Sequence, residues 1–260
     1  MKTSEQTARY QERGFTRDQA EVIAMMHAAA GTLFRDFPES FLLFGGATLL
    51  MFYESVRLSA DLDLLERSEE RPTPNAIQAS LEHGLASVAE ALNVGPLHIE
   101  VSRDGEMKVL VKSREGAVLF KVDITRFGSV LDSEIREYTV SIDEETDVQV
   151  KAPSRDFMLL QKAECFLLRR VVKVRDAFDI RQLRSSDASL SVILKAHLAD
   201  TLIASEVGAI DIGKRIDQID EKHCTAELRP LLPTKAFENL ARQNFKPLRD
   251  ALLDLYRDWL

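Results

Sequence analysis

The sequence predicts an α+β protein, with a mixed β-sheet and flanking helices over 1–152 and a helical bundle over 153–260. Three observations carry this expectation. Apolar residues recur at every second position in short segments between Leu97 and Ala152, the period of half-buried strands. Ahead of them, apolar residues recur at helical spacing in two long segments. After Pro153 the two-residue period stops, and helical spacing runs almost to Leu260.

The elements follow in order. In "TRDQAEVIAMMHAAAGTLFRDF", Val22, Ile23, Met26 and Leu33 fall on apolar helix positions, with Thr16 available as N-cap. "SFLLFGG" reads as a short buried strand stopped by glycines, "ATLLMFYESV" as a helix, and "LDLL" as a second short strand. "NAIQASLEHGLASVAEAL" predicts a helix despite Gly84. "LHIEVSR", "EMKVLVKS", "AVLFKVDITR", "REYTVSI" and "DVQVKA" read as strands, several joined by Gly or charged turns. Ser154 to Asp176, taken as continuous helix, has an apolar stripe of Phe157, Leu160, Ala163, Leu167, Leu168 and Val171. On its other side Lys162, Arg169 and Lys173 stack into a basic ridge, which is either an ordinary solvated face or a phosphate-binding one. "PLRDALLDLYRDWL" predicts an amphipathic helix packing Leu252, Leu253, Leu255 and Trp259 on the bundle.

Composition narrows the function. A chain of 260 residues, 45% hydrophobic, can bury a sizeable core. The net charge of −8 argues against a surface coated for nucleic acid, although Arg169, Arg170, Lys173, Arg175, Arg181 and Arg184 make one region locally basic. Cys165 and Cys224 have neither a disulfide framework nor zinc spacing, and no His pairs with Cys165 to activate it. The five histidines show no metal-binding spacing and read as structural or exposed. The polar start and the lack of a long apolar run predict a cytoplasmic protein with no membrane partner.

One stretch, "FLLFGGATLLMFYESVRLSADLDLLERS", concentrates candidate chemistry. A strand ending in Gly45 and Gly46 and entering a helix brings backbone N–H groups close to an anion such as phosphate. The same pair also serves a plain tight turn. If "ADLDLL" is a strand, Asp61 and Asp63 project from one face while Leu62 and Leu64 project from the other. Two like charges so placed need a cation between them, and their hard oxygens suit Mg2+. A solvated acidic edge is the alternative. Asp123, in "LFKVDITRF", lies on a strand with its side chain opposite in facing to Phe120 and Val122. Were that strand adjacent to "LDLL", Asp123 would stand beside Asp61 and Asp63; otherwise it is an edge acid paired with Lys121 or Arg126. Asp176 and Asp179 share a helix face, on which they could pair with basic neighbours such as Arg175 or Lys173.

Gly45-Gly46 and the helix after them, "RLSADLDLL" with Arg57, Ser59, Asp61 and Asp63, and the later "KVDIT" resemble the nucleotidyltransferase superfamily. The resemblance is nearest to the AbiEii/AbiGii-type toxins of abortive-infection and toxin–antitoxin systems. It extends to "LLQKAECFLLRRVVKVRDAFDIRQL", similar to that family's Lys-containing helix and the Arg/Lys-x-x-Asp-x-x-Asp segment after it. The resemblance implies a nucleotidyltransferase-like sheet domain whose cleft the helical domain completes. It implies transfer of an NMP from an NTP to an acceptor hydroxyl, with an RNA, particularly a tRNA 3′ end, as acceptor and an antitoxin as partner. Mg2+, or Mn2+, would be held by Asp61, Asp63 and Asp123. The nucleotide would meet Gly45, Gly46, Thr48, Arg57, Ser59, Lys162, Arg169 and Lys173, with Lys162 and Asp176 in catalytic positions. A protein or small-molecule acceptor, or a degenerate nucleotide-binding regulator, is the alternative. One departure stands out: Ala47 follows the second glycine where the family carries Ser or Thr, and Thr48 lies about 100° further round the helix.

Overall fold

The structure, a computed structural model, describes residues 3–67, 71–126, 130–142 and 146–259. It divides into two compact units, one of Met1–Glu54 with Leu58–Pro153, the other of Ser55–Arg57 with Ser154–Leu260. The three-residue excursion Ser55–Arg57 is marked by no change of composition; buried polar bonds within the second unit hold it there.

The first unit opens with helix α1 (Thr3–Glu12), for which the polar N-terminal sequence shows no apolar stripe. Helix α2 (Arg17–Asp36) starts in a capping box, Thr16 accepting from the Gln19 backbone and Gln19 accepting from that of Thr16. Strand β1 (Phe41–Phe44) leads into α3 (Gly45–Phe52), then β2 (Asp61–Glu66) and α4 (Pro74–Ala91). Helix α3 is shorter than "ATLLMFYESV" suggests: the backbone leaves the helix at Tyr53, and Glu54 takes φ 56. The remaining strands are β3 (His98–Asp104), β4 (Glu106–Lys112), β5 (Val118–Arg126), β6 (Ile135–Ser141) and β7 (Asp147–Pro153).

Five strands form one mixed sheet in the order β1-β2-β5-β4-β3, with β2 and β5 parallel and the other neighbours antiparallel; β6 and β7 form a separate hairpin. Strand alternation sorts the sheet's two faces. Leu43, Leu62, Leu64, Val109, Val122 and Ile124 join one core cluster with residues of α2 and α4. Asp61, Asp63, Lys121 and Asp123 stand on the opposite face. Gly84 is required by close helix packing: a Cβ there would meet the Thr32 side chain of α2 at 2.2 Å.

The second unit is helical, comprising α5 (Arg155–Leu168), α6 (Val174–Ser185), α7 (Val192–Ala204), α8 (Ala209–Asp217), α9 (Glu221–Leu228), α10 (Thr234–Ala241) and α11 (Lys246–Leu255). The continuous helix expected from Ser154 to Asp176 is two helices. Arg169 turns to an extended conformation at the end of α5, and the Arg215 guanidinium donates to the carbonyls of Phe166 (3.1 Å) and Arg169 (2.9 Å). Those last-turn carbonyls are thereby satisfied without further helix, and the β-branched pair Val171-Val172 gives little reason to continue it. The stripe holds through Leu167, but Leu168 and Val171 are exposed. Near the C-terminus, Leu252 and Leu255 are buried as expected, Leu253 is exposed, and Trp259 lies in a 3-10 turn. Tyr256 is the anchor there, stacking on Phe166 and donating to the Ala163 carbonyl at 2.9 Å.

Candidate active site

In the first unit, the acids are placed by sheet register. Parallel pairing of β2 with β5 sets Asp61 opposite Lys121 and Asp63 opposite Asp123. Strand β4 adds Lys108 opposite Asp123. Three aspartates and two lysines therefore share neighbouring positions on the half-exposed face of the sheet.

The glycine turn meets this row at Asp63. Gly45 has φ +69, a region that L side chains rarely adopt, and a Cβ built there would lie 1.9 Å from Asp63 Oδ2. The Asp63 carboxylate thus occupies the space left by the missing side chain, at the start of α3. Phe44, the N-cap of that helix, has no side chain able to cap it, so the carboxylate is the negative group at the positive helix end. Ser59 shapes the chain entering β2: its hydroxyl donates to the Asp61 carbonyl at 3.3 Å.

A divalent cation fits the chemistry of this donor set, which is composed of hard carboxylate oxygens. Among the described residues, no three His, Cys, Asp or Glu side chains are gathered closely enough to hold one ion together. Convergence of Asp61, Asp63 and Asp123 on an ion would thus require side-chain rotation within the existing register.

Thr48 stands apart from this surface. It is fully buried, and its Oγ1 has no hydrogen-bond partner among the described residues. The expected phosphate contact from this hydroxyl is not available in this structure, because the first turn of α3 points residue 48 into the protein interior.

In the second unit, four of the other expected site residues form one buried ionic network with Asp179. Arg57 grips Asp179 with two hydrogen bonds, Nε to Oδ1 and a terminal nitrogen to Oδ2, both 2.8 Å. Lys162 Nζ lies 2.9 Å from Asp179 Oδ2 and 3.5 Å from Asp176 Oδ1, and Arg169 Nε lies 3.0 Å from Asp176 Oδ2. Arg57, Lys162, Asp176 and Asp179 are all buried. The Asp176 oxygens are within ion-pair distance of Lys162 and Arg169 but make no side-chain hydrogen bond among the described residues. Burial opposes ionisation of Asp179, but the charges and hydrogen bonds of Arg57 and Lys162 outweigh it and hold the carboxyl below its ordinary range. The same balance raises Arg57: burial works against its charge, and Asp179 more than compensates.

The basic ridge expected of Lys162, Arg169 and Lys173 does not form. Lys162 is buried in ion pairs, and the helix break sends Arg169 and Lys173 to the ends of different helices. Lys173 precedes α6 and lines a cavity of about 470 Å3 with Arg175, His223 and Glu227. Glu227 accepts from the Val174 backbone at 2.8 Å. Asp176 and Asp179 do share a helix face, but their partners are Lys162, Arg169 and Arg57 rather than Arg175 or Lys173. Sequence reasoning missed the Arg57–Asp179 pair, whose members are 122 residues apart in the chain.

The model of the AbiEii nucleotidyl transferase toxin family, described as a type IV toxin–antitoxin system, matches residues 30–259. Two solved structures, both from Helicobacter pylori, are similar over nearly the whole chain. One, a protein assigned as a nucleotidyltransferase, superimposes with a TM-score of 0.57 at 16% identity, covering 94% of this chain and 98% of that one. The other, JHP933, gives a TM-score of 0.50 at 15% identity, covering 90% and 91%. At such identities they show a shared fold. No curated protein matches the chain. Among the described residues, no helix is long and apolar enough to cross a membrane.

Proposed function

The chain belongs to the AbiEii nucleotidyl transferase toxin family, and from that premise we propose that it transfers an NMP from an NTP to the hydroxyl of an RNA, with a tRNA 3′ end as the preferred acceptor. The observation that carries this reading is the register of Asp63 with Asp123, beside the Gly45 turn that Asp63 itself fills.

The residues take the following roles. Asp61, Asp63 and Asp123 would hold Mg2+, and Gly45 and Gly46 would offer the start of α3 to the triphosphate. When bound, the ion neutralises phosphate charge and lowers the pKa of the attacking hydroxyl. The acceptor oxygen attacks the α-phosphorus, and the bond to pyrophosphate breaks. Lys121 and Lys108 limit the repulsion among three neighbouring carboxylates before substrate arrives. Ser59 fixes the backbone ahead of Asp61. Lys162, Arg169 and Asp176 act with Asp179 as one charged unit that anchors Arg57, four residues before Asp61 in the chain. Lys173, outside that unit, is left to contact substrate phosphate at the cavity it lines. An antitoxin is the partner that goes with a toxin of this family.

The test is incubation of the protein with each α-labelled NTP, Mg2+ and total bacterial RNA, alongside an Asp61→Ala/Asp63→Ala variant. Label in RNA that requires both aspartates is the expected result, and its size class identifies the acceptor. Label in protein or in a small molecule would move the acceptor elsewhere. NTP binding without any transfer would favour a degenerate regulator.

A further inference from the structure

Helix α7 is apolar on two faces, and only one of them is covered. Leu194, Leu198 and Leu202 recur every fourth residue and are buried in the second unit. Val192, Ala196, Ala199 and Ile203 form another stripe, spaced four, three and four. Ala199 is half-buried and the other three are exposed, Val192 at 86% and Ile203 at 76%. Ile210, at the start of α8, is also exposed. Beside the stripe, Leu202, Ile203, Val207, Ile212 and Trp259 line a groove of about 350 Å3. A helix hydrophobic all round is ordinarily buried all round.

We propose that this face is a self-association surface, on which two copies of the chain pack their α7 helices in parallel about a two-fold axis. The stripe has the spacing of a coiled-coil seam, with Val192 and Ala199 at d positions and Ala196 and Ile203 at a positions. The two central alanines let the helix axes approach toward the near end of the usual 8–10 Å range.

Charge selects both the partner and its direction. On this frame Lys195 takes a g position and Asp200 the following e position. In a parallel pair, g of one helix lies opposite the next e of its mate, giving two equivalent Lys195–Asp200 pairs across the axis. An antiparallel pair would set lysine against lysine and aspartate against aspartate. Within one copy, Lys195 Nζ lies 3.1 Å from Asp258, an exposed ion pair of small worth that is readily exchanged. With 13 residues, α7 offers a seam about 20 Å long. That is short of a standard interface, so a micromolar dimer is expected.

Sedimentation velocity of the full chain, over a concentration series reaching the high micromolar range, tests this. The native protein is expected to dimerise and Ile203→Glu to remain monomeric, with circular dichroism melts confirming that the variants are folded. Lys195→Glu should weaken association about tenfold, and Lys195→Glu/Asp200→Lys should restore it. A native protein that stays monomeric throughout, whether or not some other protein binds the face, overturns the proposal. So does a dimer indifferent to Ile203→Glu. A dimer indifferent to Lys195→Glu alone refutes the parallel arrangement, because reversal of that charge leaves an antiparallel pairing equally repulsive.

Discussion

The Asp63 carboxylate lies where a side chain at residue 45 would be, 1.9 Å from the position of a Cβ on Gly45. Gly45→Ala therefore has two effects. The positive φ costs about 1–2 kcal/mol of stability for a residue with a Cβ, and the carboxylate must swing away. The second effect falls on chemistry, since misplacing a reactive group by about an ångström costs on the order of a hundredfold in rate. Turnover should fall far more than a thermal melt would suggest, and comparison of kcat with Tm for this variant checks it. A Gly45→Ala protein with native turnover would remove Asp63 from the reaction.

The Arg57–Asp179 pair predicts a stability pattern of its own. Arg57→Ala leaves Asp179 with Lys162 alone, and breaking a buried pair from one side typically costs about 3–5 kcal/mol. Replacing both partners by leucine removes the stranded carboxylate and leaves Lys162 to Asp176, so Arg57→Leu/Asp179→Leu should be less destabilising than the sum of Arg57→Leu and Asp179→Leu. Urea denaturation of the four proteins measures this coupling. Strict additivity would mean that the two side chains do not share an interaction.

His27 makes the first unit acid-sensitive. Its ring is buried and 2.7 Å from the Tyr10 hydroxyl, and burial, helped by the charges of Arg13 and Arg9, lowers its pKa to about 3. An unfolded histidine titrates near 6.5. Between those values the unfolded chain binds the extra proton, so stability present above about pH 6.5 is lost as pH falls toward 3. Asp179 adds a loss at lower pH: its folded pKa is depressed, so its contribution is present above the ordinary carboxylate value near 4 and declines as pH falls through the folded one. Denaturation free energies from pH 7 to pH 4 should fall steeply in the native protein and less steeply in His27→Gln. Parallel slopes in the two proteins would show that His27 is not the titrating group.

How legible all this was depends on whether the signal is local. Strand period, the Thr16 cap and the glycines that end β1 are written in consecutive residues, and the strands and α2 are found where the sequence puts them. The facing of Asp61, Asp63 and Asp123 follows from alternation alone. Their adjacency does not: pairing β2 with β5 skips three intervening elements, and only the folded sheet sets Asp63 beside Asp123. The ridge of Lys162, Arg169 and Lys173 failed for a related reason. Helical spacing assumed an unbroken helix, while the break is stabilised by Arg215, 46 residues beyond Arg169. Arg57 and Asp179 gave no local sign of each other.

Thr48 separates a structural polar group from a substrate contact. Its hydroxyl is buried and has no hydrogen-bond partner among the described residues, a condition that costs about 1–3 kcal/mol relative to an apolar group of the same shape. Thr48→Val keeps the branched outline and removes the oxygen. It should raise the melting temperature modestly while leaving kcat and the KM for NTP unchanged. The outcome against this would be a higher KM with native stability, since only a hydroxyl that reaches the nucleotide in the loaded enzyme weakens binding when removed without repaying the fold. Ala47→Ser provides the complement: Ala47 is also fully buried, in the hydrophobic core, so a hydroxyl there should lower the melting temperature and leave the KM for NTP unchanged. A lower KM in Ala47→Ser would count against this, since only a hydroxyl that reaches the nucleotide could tighten its binding.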